Sequence, residues 1–228
     1  MKTTFILVHG AFGSPAELAP TARYLEAVGH SVINVDLPSE RPDASLDDYA
    51  NAVILAMEGT SGHRILVAHS AGGATIPLVA ARTPVDHMVF AAAVVPQPGQ
   101  SIFDATGPAT QEAIMAVSID DGDGTRSLDF DLLSSLAPPE QRDAYLAFLR
   151  ATQRKQGMAA VYEPWPGIGI PDLPRSYILC TEDQIIPPER QRAFAAALGV
   201  IPIEIVSEHS VFAMQPQRLA DILVSLTT

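Results

Sequence analysis

The apolar run Ile65-Leu66-Val67 leads directly into Ala68-His69-Ser70-Ala71-Gly72-Gly73, and few backbones accommodate that junction. The apolar run reads as a buried strand, and residues 74–81 read as a helix. A serine between the two sits on a sharp, strained turn. Such a turn needs small neighbours and lifts the hydroxyl over the carboxyl end of a sheet. The chain has 228 residues, 47% of them hydrophobic and 18% charged, enough for one sizeable core.

The charge balance narrows the partners. A formal net charge of -12 argues against nucleic acid and anionic membrane surfaces as partners, since either needs a positive footprint. The single Cys180 allows no internal disulfide and no thiolate zinc site. It falls in the apolar run 177–180 and reads as a buried strand residue. The first eight residues pass from one lysine into a short strand, too short for a signal peptide, and no segment approaches the roughly 18 apolar residues of a membrane span. The expected address is the cytoplasm.

Strand and helix alternate through residues 1–95. A strand at 5–8 ends in His9-Gly10-Ala11-Phe12-Gly13-Ser14. Ser14 and Pro15 open a helix that Gly29 stops. A strand at 31–35, a helix capped by Ser45 with Asp47 and Asp48 in its first turn, the strand before Ser70, the Ala-rich helix and a strand at 87–94 follow. This rhythm demands a mostly parallel sheet with helices on both faces. It breaks over 96–174, where helices near 108–116 and 138–156 predict a helical cap inserted into the core. Alternation resumes over 175–228, with strands at 176–180 and 203–206 and helices at 188–198 and 211–226. Asp120-Asp121-Gly122-Asp123-Gly124 fails as a calcium loop, because Arg126 stands where the sharp turn needs glycine, and it reads as a solvated turn.

A serine hydroxyl attacks at neutral pH only with a base in reach and a third group orienting that base. The acid and the base are sought on later loops, each just past a predicted strand. Thr181-Glu182-Asp183 follows one late strand and Ser207-Glu208-His209-Ser210 the next. The acid is Asp183 or Glu182, with Asp183 preferred. Among the six histidines, His30, His63 and His87 are expected at exposed edges. The His69 ring is expected to pack away from the site, and His9 to bond beneath the first loop. His209 remains as the base. The backbone N–H of Ala71 supplies one oxyanion donor and that of Ala11 the second.

Val8-His9-Gly10-Ala11, Ala68-His69-Ser70-Ala71-Gly72-Gly73, Thr181-Glu182-Asp183-Gln184-Ile185-Ile186-Pro187 and Glu208-His209-Ser210 together resemble the methylesterase and hydroxynitrile lyase branch of the α/β-hydrolases. The resemblance spans nearly the whole chain and is loosest in the cap. It implies the α/β-hydrolase fold, a Ser70-His209-Asp183 triad without cofactor or metal, and a small-molecule ester held between core and cap. The lyases of this branch carry threonine where this chain has Gly10 and lysine where it has Ser210. Both departures oppose cyanohydrin cleavage.

The expected function is therefore hydrolysis of a small carboxylic ester through an acyl-enzyme. Phe12, Phe103, Tyr145, Phe148 and Trp165 offer aromatic surface for an apolar acyl pocket, the alternative being that cap aromatics pack on the core. A slow-turnover small-molecule receptor, and lyase or carbon-carbon bond hydrolase chemistry on the same scaffold, are the competing readings.

Overall fold

The computed structural model describes residues 2–167 and 169–227. Its centre is a six-stranded sheet of β1 (Thr3–Val8), β2 (Ser31–Val35), β3 (His63–His69), β4 (His87–Ala91), β8 (Arg175–Cys180) and β9 (Ile203–Ile205), ordered β2-β1-β3-β4-β8-β9. Every neighbouring pair in it is parallel.

Because successive strand side chains point to opposite faces, each strand supplies two cores. Ile6, Val8, Leu66, Ala68, Met88, Phe90, Tyr177 and Leu179 face one cluster, and Phe5, Leu7, Ile65, Val67, Val89, Ile178 and Cys180 face the other. Helices α2 (Leu46–Ala56), α3 (Ile76–Ala80) and α9 (Pro188–Ala197) cover the first, through residues such as Tyr49, Val53, Val79 and Phe194. The second lies under α1 (Pro15–Ala27), α10 (Val211–Met214) and α11 (Pro216–Ser225), through Leu18, Leu25, Phe212 and Leu219. Each large apolar side chain so buried contributes about 1.5–3 kcal/mol. Both faces being covered explains why these strands read as continuous apolar runs.

Local signals hold the helix starts. The Ser14 side chain accepts from Ala16 N ahead of Pro15, and Ser45 forms a reciprocal capping box with Asp48. Three expected helices are shortened or divided. Residues 70–74 form a 3-10 turn before α3, so the 74–81 helix begins late. The 211–226 helix breaks at Gln215, because Pro216 has no N–H to continue the preceding turn. The helix expected over 138–156 is confined to α7 (Arg142–Thr152), since Gln156 belongs to a strand.

Residues 96–174, between β4 and β8, carry α4 (Ile102–Thr106), α5 (Pro108–Ala116), α6 (Phe130–Leu136), α7 and α8 (Ala159–Tyr162). They also carry strands the sequence did not disclose: β5 (Ser118–Asp120), β6 (Thr125–Leu128) and β7 (Gln156–Gly157) form an antiparallel sheet. The Asp-Gly run is the turn of its hairpin. Asp120 accepts from Gly122 N, Asp123 accepts from Thr125 N, and Lys155 neutralises Asp121 and Asp123. No group of three or more metal-ligating side chains occurs among the described residues. No helix among them is long and apolar enough to cross a membrane.

The turn after β3 is packed without slack. Val94 N donates to Ser70 O at 2.9 Å, drawing the segment after β4 against the turn. A Cβ added at Gly73 would lie 2.4 Å from Val94 O. Gly73→Ala is therefore expected to lower the unfolding free energy by about 1–3 kcal/mol, read as a shift of the urea midpoint at unchanged slope.

Candidate active site

β3 delivers Ser70 to the carboxyl edge of the sheet in a left-handed conformation, φ 51°. A non-glycine residue holds such a backbone only where its surroundings enforce it. Here they do so from beneath, where a Cβ at Gly72 would meet His9 O at 2.7 Å, and from the first loop, where a Cβ at Gly10 would meet Ser70 Cβ at 2.7 Å. Ala68 is fully buried among core residues and its methyl group is accommodated.

His209, on the loop after β9, reaches both neighbours. Its Nε2 lies 3.0 Å from Ser70 Oγ and its Nδ1 2.7 Å from Asp183 Oδ2. With a carboxylate facing Nδ1, the imidazole proton resides there, leaving the Nε2 lone pair to accept from the serine hydroxyl. Asp183 is itself held rigidly: Oδ1 accepts from Ile185 N and Ile186 N, each at 2.8 Å, and Oδ2 accepts from Gln191 Nε2 at 2.9 Å. Asp183 is buried, whereas Glu182 and Glu208 are exposed. Of the acidic candidates, only Asp183 contacts the histidine.

Two further histidines lie beneath. The His69 ring does not pack away from the site as expected: it backs His209 at 4.7 Å between centroids, and its Nε2 donates to His209 O at 2.9 Å. The reason is that Ser70 turns the chain so sharply that the preceding side chain points under the loop after β9. Glu17, a first-turn residue of α1, approaches His69 Nδ1 at 3.5 Å and is buried. Nothing in its spacing distinguished it from an exposed dipole partner. His9 donates from Nδ1 to Gly10 O at 2.9 Å and accepts at Nε2 from Leu37 N at 3.2 Å. Burial pushes the pKa of both His9 and His69 down, which favours the neutral form of each. His30, His63 and His87 are half-buried rather than exposed, bonding Thr3 N, Thr3 Oγ1 and Ser176 Oγ respectively.

Beside Ser70 lies a narrow cavity of about 50 Å³. Ala11, Phe12, Ala71 and Phe103 line it with the serine, and none of its lining side chains is charged. Three expected pocket residues lie elsewhere. Trp165 is buried with its indole N–H donating to Ala74 O at 2.9 Å, the partner a buried indole requires. Tyr145 and Phe148 are one helical turn apart on α7 and stack on each other, 6.5 Å between centroids. Their places are taken by Ile102, Ile114, Gln156, Met158, Val161, Ile185 and Ile186. The Ser101 to Asp104 capping box was the one available signal for α4.

The sequence profile described as Alpha/beta hydrolase family matches residues 5–222. Methylesterase 1 of Arabidopsis thaliana is 27% identical over 255 residues, covering 99% of this chain and 96% of that protein. A pyrethroid hydrolase of Sphingobium wenxiniae is 27% identical, covering 96% and 85%. The solved structure of an extracellular alpha/beta-hydrolase from a Paenibacillus species superposes with TM-score 0.83 at 23% identity, covering 98% of each chain, a likeness of fold.

The neutral histidines carry a pH consequence. Each has a folded pKa below the ordinary imidazole value of about 6.5, so its contribution to stability is complete above that value and is lost as pH falls toward the folded pKa. Urea unfolding at stepped pH is expected to show stability falling below about pH 6.5. His9→Gln makes that fall shallower by up to about 1.4 kcal/mol per pH unit.

Proposed function

The chain belongs to the alpha/beta hydrolase family, and on that premise we propose that it hydrolyses a small, neutral carboxylic ester through an acyl-enzyme. The observation that carries the reading is His209 bridging Ser70 Oγ at 3.0 Å and Asp183 Oδ2 at 2.7 Å. Relatives named methylesterase and pyrethroid hydrolase support the ester.

In the proposed mechanism Ser70 Oγ attacks the ester carbonyl while His209 Nε2 takes its proton. The backbone N–H groups of Ala11 and Ala71 stabilise the oxyanion. His209 returns the proton to the leaving alcohol, and the Ser70 acyl ester remains. Water then attacks, giving its proton to His209, and collapse releases the carboxylic acid and restores Ser70. Asp183 orients the imidazole and stabilises its charged form. A carboxylate in the acyl group has no partner in the uncharged cavity, which favours neutral acyl groups.

Residues 96–174 act in this reading as a cap over Ser70, because Phe103, Ile114 and Met158 come from that segment. A free, buried Cys180 suits the reducing cytoplasm. Lyase chemistry fits less well: the threonine of the lyases would have to enter at Gly10, where a Cβ meets Ser70 Cβ at 2.7 Å.

A fluorophosphonate is expected to label Ser70, located by mass spectrometry, and Ser70→Ala to abolish both labelling and hydrolysis of p-nitrophenyl acetate. Asp183→Asn is expected to lower kcat by about 10⁴, with Glu182→Gln within about threefold of wild type on the surface-substitution expectation. A larger loss for Glu182→Gln, or full activity in Ser70→Ala, overturns the assignment.

A further inference from the structure

We infer that Gln156 is a positioning residue for the oxyanion site, setting the backbone of the loop that carries the Ala11 N–H. The inference rests on the ester-hydrolase reading and assigns a role to a side chain that the triad and its donors do not use.

Ala11 lies between two peptide units, and each is held from a different quarter. The unit containing the Ala11 N–H is fixed through its carbonyl, Gly10 O, which accepts from His9 Nδ1 at 2.9 Å and Gly13 N at 3.2 Å. Because the peptide is trans and planar, fixing that carbonyl fixes the direction of the Ala11 N–H. The next unit is fixed through its own N–H: Phe12 N donates to Gln156 Oε1 at 3.1 Å, across 144 residues of chain. Phe12 is left-handed, φ 59°, a conformation a bulky residue holds only where its surroundings enforce it. The segment that supplies Gln156 also holds the far side of Phe12, through Arg154 N donating to Phe12 O at 2.7 Å.

Gln156 is suited to this by its own anchoring. Its Nε2 donates to Gly157 O at 2.6 Å and to Tyr49 OH at 2.9 Å, so all three polar valences that matter are engaged. The bonds fix the amide orientation, with the oxygen toward Phe12. Gly157 N donates in turn to Ser39 O at 2.6 Å, tying β7 to the core loop. Gln156 is 1% exposed and, with Ser70 and Phe12, lines the cavity. Removing its acceptor orphans the buried Phe12 N–H and frees the strained residue next to Ala11.

The role separates from plain structural support by where the loss falls. Gln156→Met keeps size and removes the acceptor. Gln156→Glu has no donor for Gly157 O, so its carboxylate is pushed from that carbonyl and off the Phe12 N–H. In each variant we expect kcat on p-nitrophenyl acetate to fall about 10- to 100-fold, less than the loss of an oxyanion donor outright. KM should stay within about threefold and the inhibition constant of a short alkyl trifluoromethyl ketone, which forms a tetrahedral adduct, should rise in proportion to the kcat loss. A variant that folds, with its melting temperature near wild type, and keeps kcat within about twofold overturns the inference, as does a loss confined to KM. Fluorophosphonate labelling of wild-type Ser70 is the control. Its absence removes the ester-hydrolase reading and the inference with it, whereas labelling with unaffected Gln156 variants removes the inference alone.

Discussion

The contact between the Gly10 backbone and Ser70 is the constraint on which the rest of the site depends. Two loops from the carboxyl ends of β1 and β3 meet so closely that a Cβ at position 10 would stand 2.7 Å from the Ser70 Cβ. That approach is available only because β1 and β3 are adjacent and parallel, with Val8 beside Ala68 at the end of their register. The core strands thus do more than bury apolar area. Their order places the first loop against the serine turn, and their shared direction places the loops after β8 and β9 within reach of it. The distances from His209 to Ser70 and Asp183 are consequences of the topology before they are properties of three side chains.

The parts of the chain that were legible in the sequence are those whose physics is local. The strands of the main sheet announced themselves as apolar runs, α1 and α2 by Ser14 and Ser45, and Asp183 and His209 as candidates by their place just past β8 and β9. Residues 96–174 were less legible for the same reason. The five residues of α4 are too few to show a period, β7 has two residues, and the hairpin turn was identified without the hairpin it closes. Trp165 reads from the sequence equally as pocket surface or as core packing. What decided its place was one indole N–H and the carbonyl of Ala74. Gln156 was equally hidden, since its partners are Phe12 and Tyr49.

Burial beneath the site is unusually polar. His9, His69 and Glu17 are all nearly inaccessible, and each touches an element that the chemistry uses: His9 the Gly10 carbonyl, His69 the His209 carbonyl, Glu17 the His69 ring. Apolar residues of similar size could fill the same volume but could not fix the direction of a carbonyl. The cost is the desolvation that keeps both histidines neutral. This trade places precision where the proposed reaction needs it and leaves the adjoining clusters to supply stability.

The same logic extends to the segment between β4 and β8. An insertion that only covered the serine would need shape and apolar contact, as Ile102, Phe103 and Met158 provide. This one also bonds the Phe12 backbone on both sides, through Arg154 N and Gln156 Oε1, while Arg154 pairs with Asp36 and Glu40 on the core. The insertion and the first loop are therefore tied directly to each other. A displacement of β7 that admitted a larger substrate would also release Phe12 from its left-handed conformation, one residue from the proposed oxyanion donor. In the role proposed for Gln156, a substrate that fits without moving β7 meets a loop already in its working geometry.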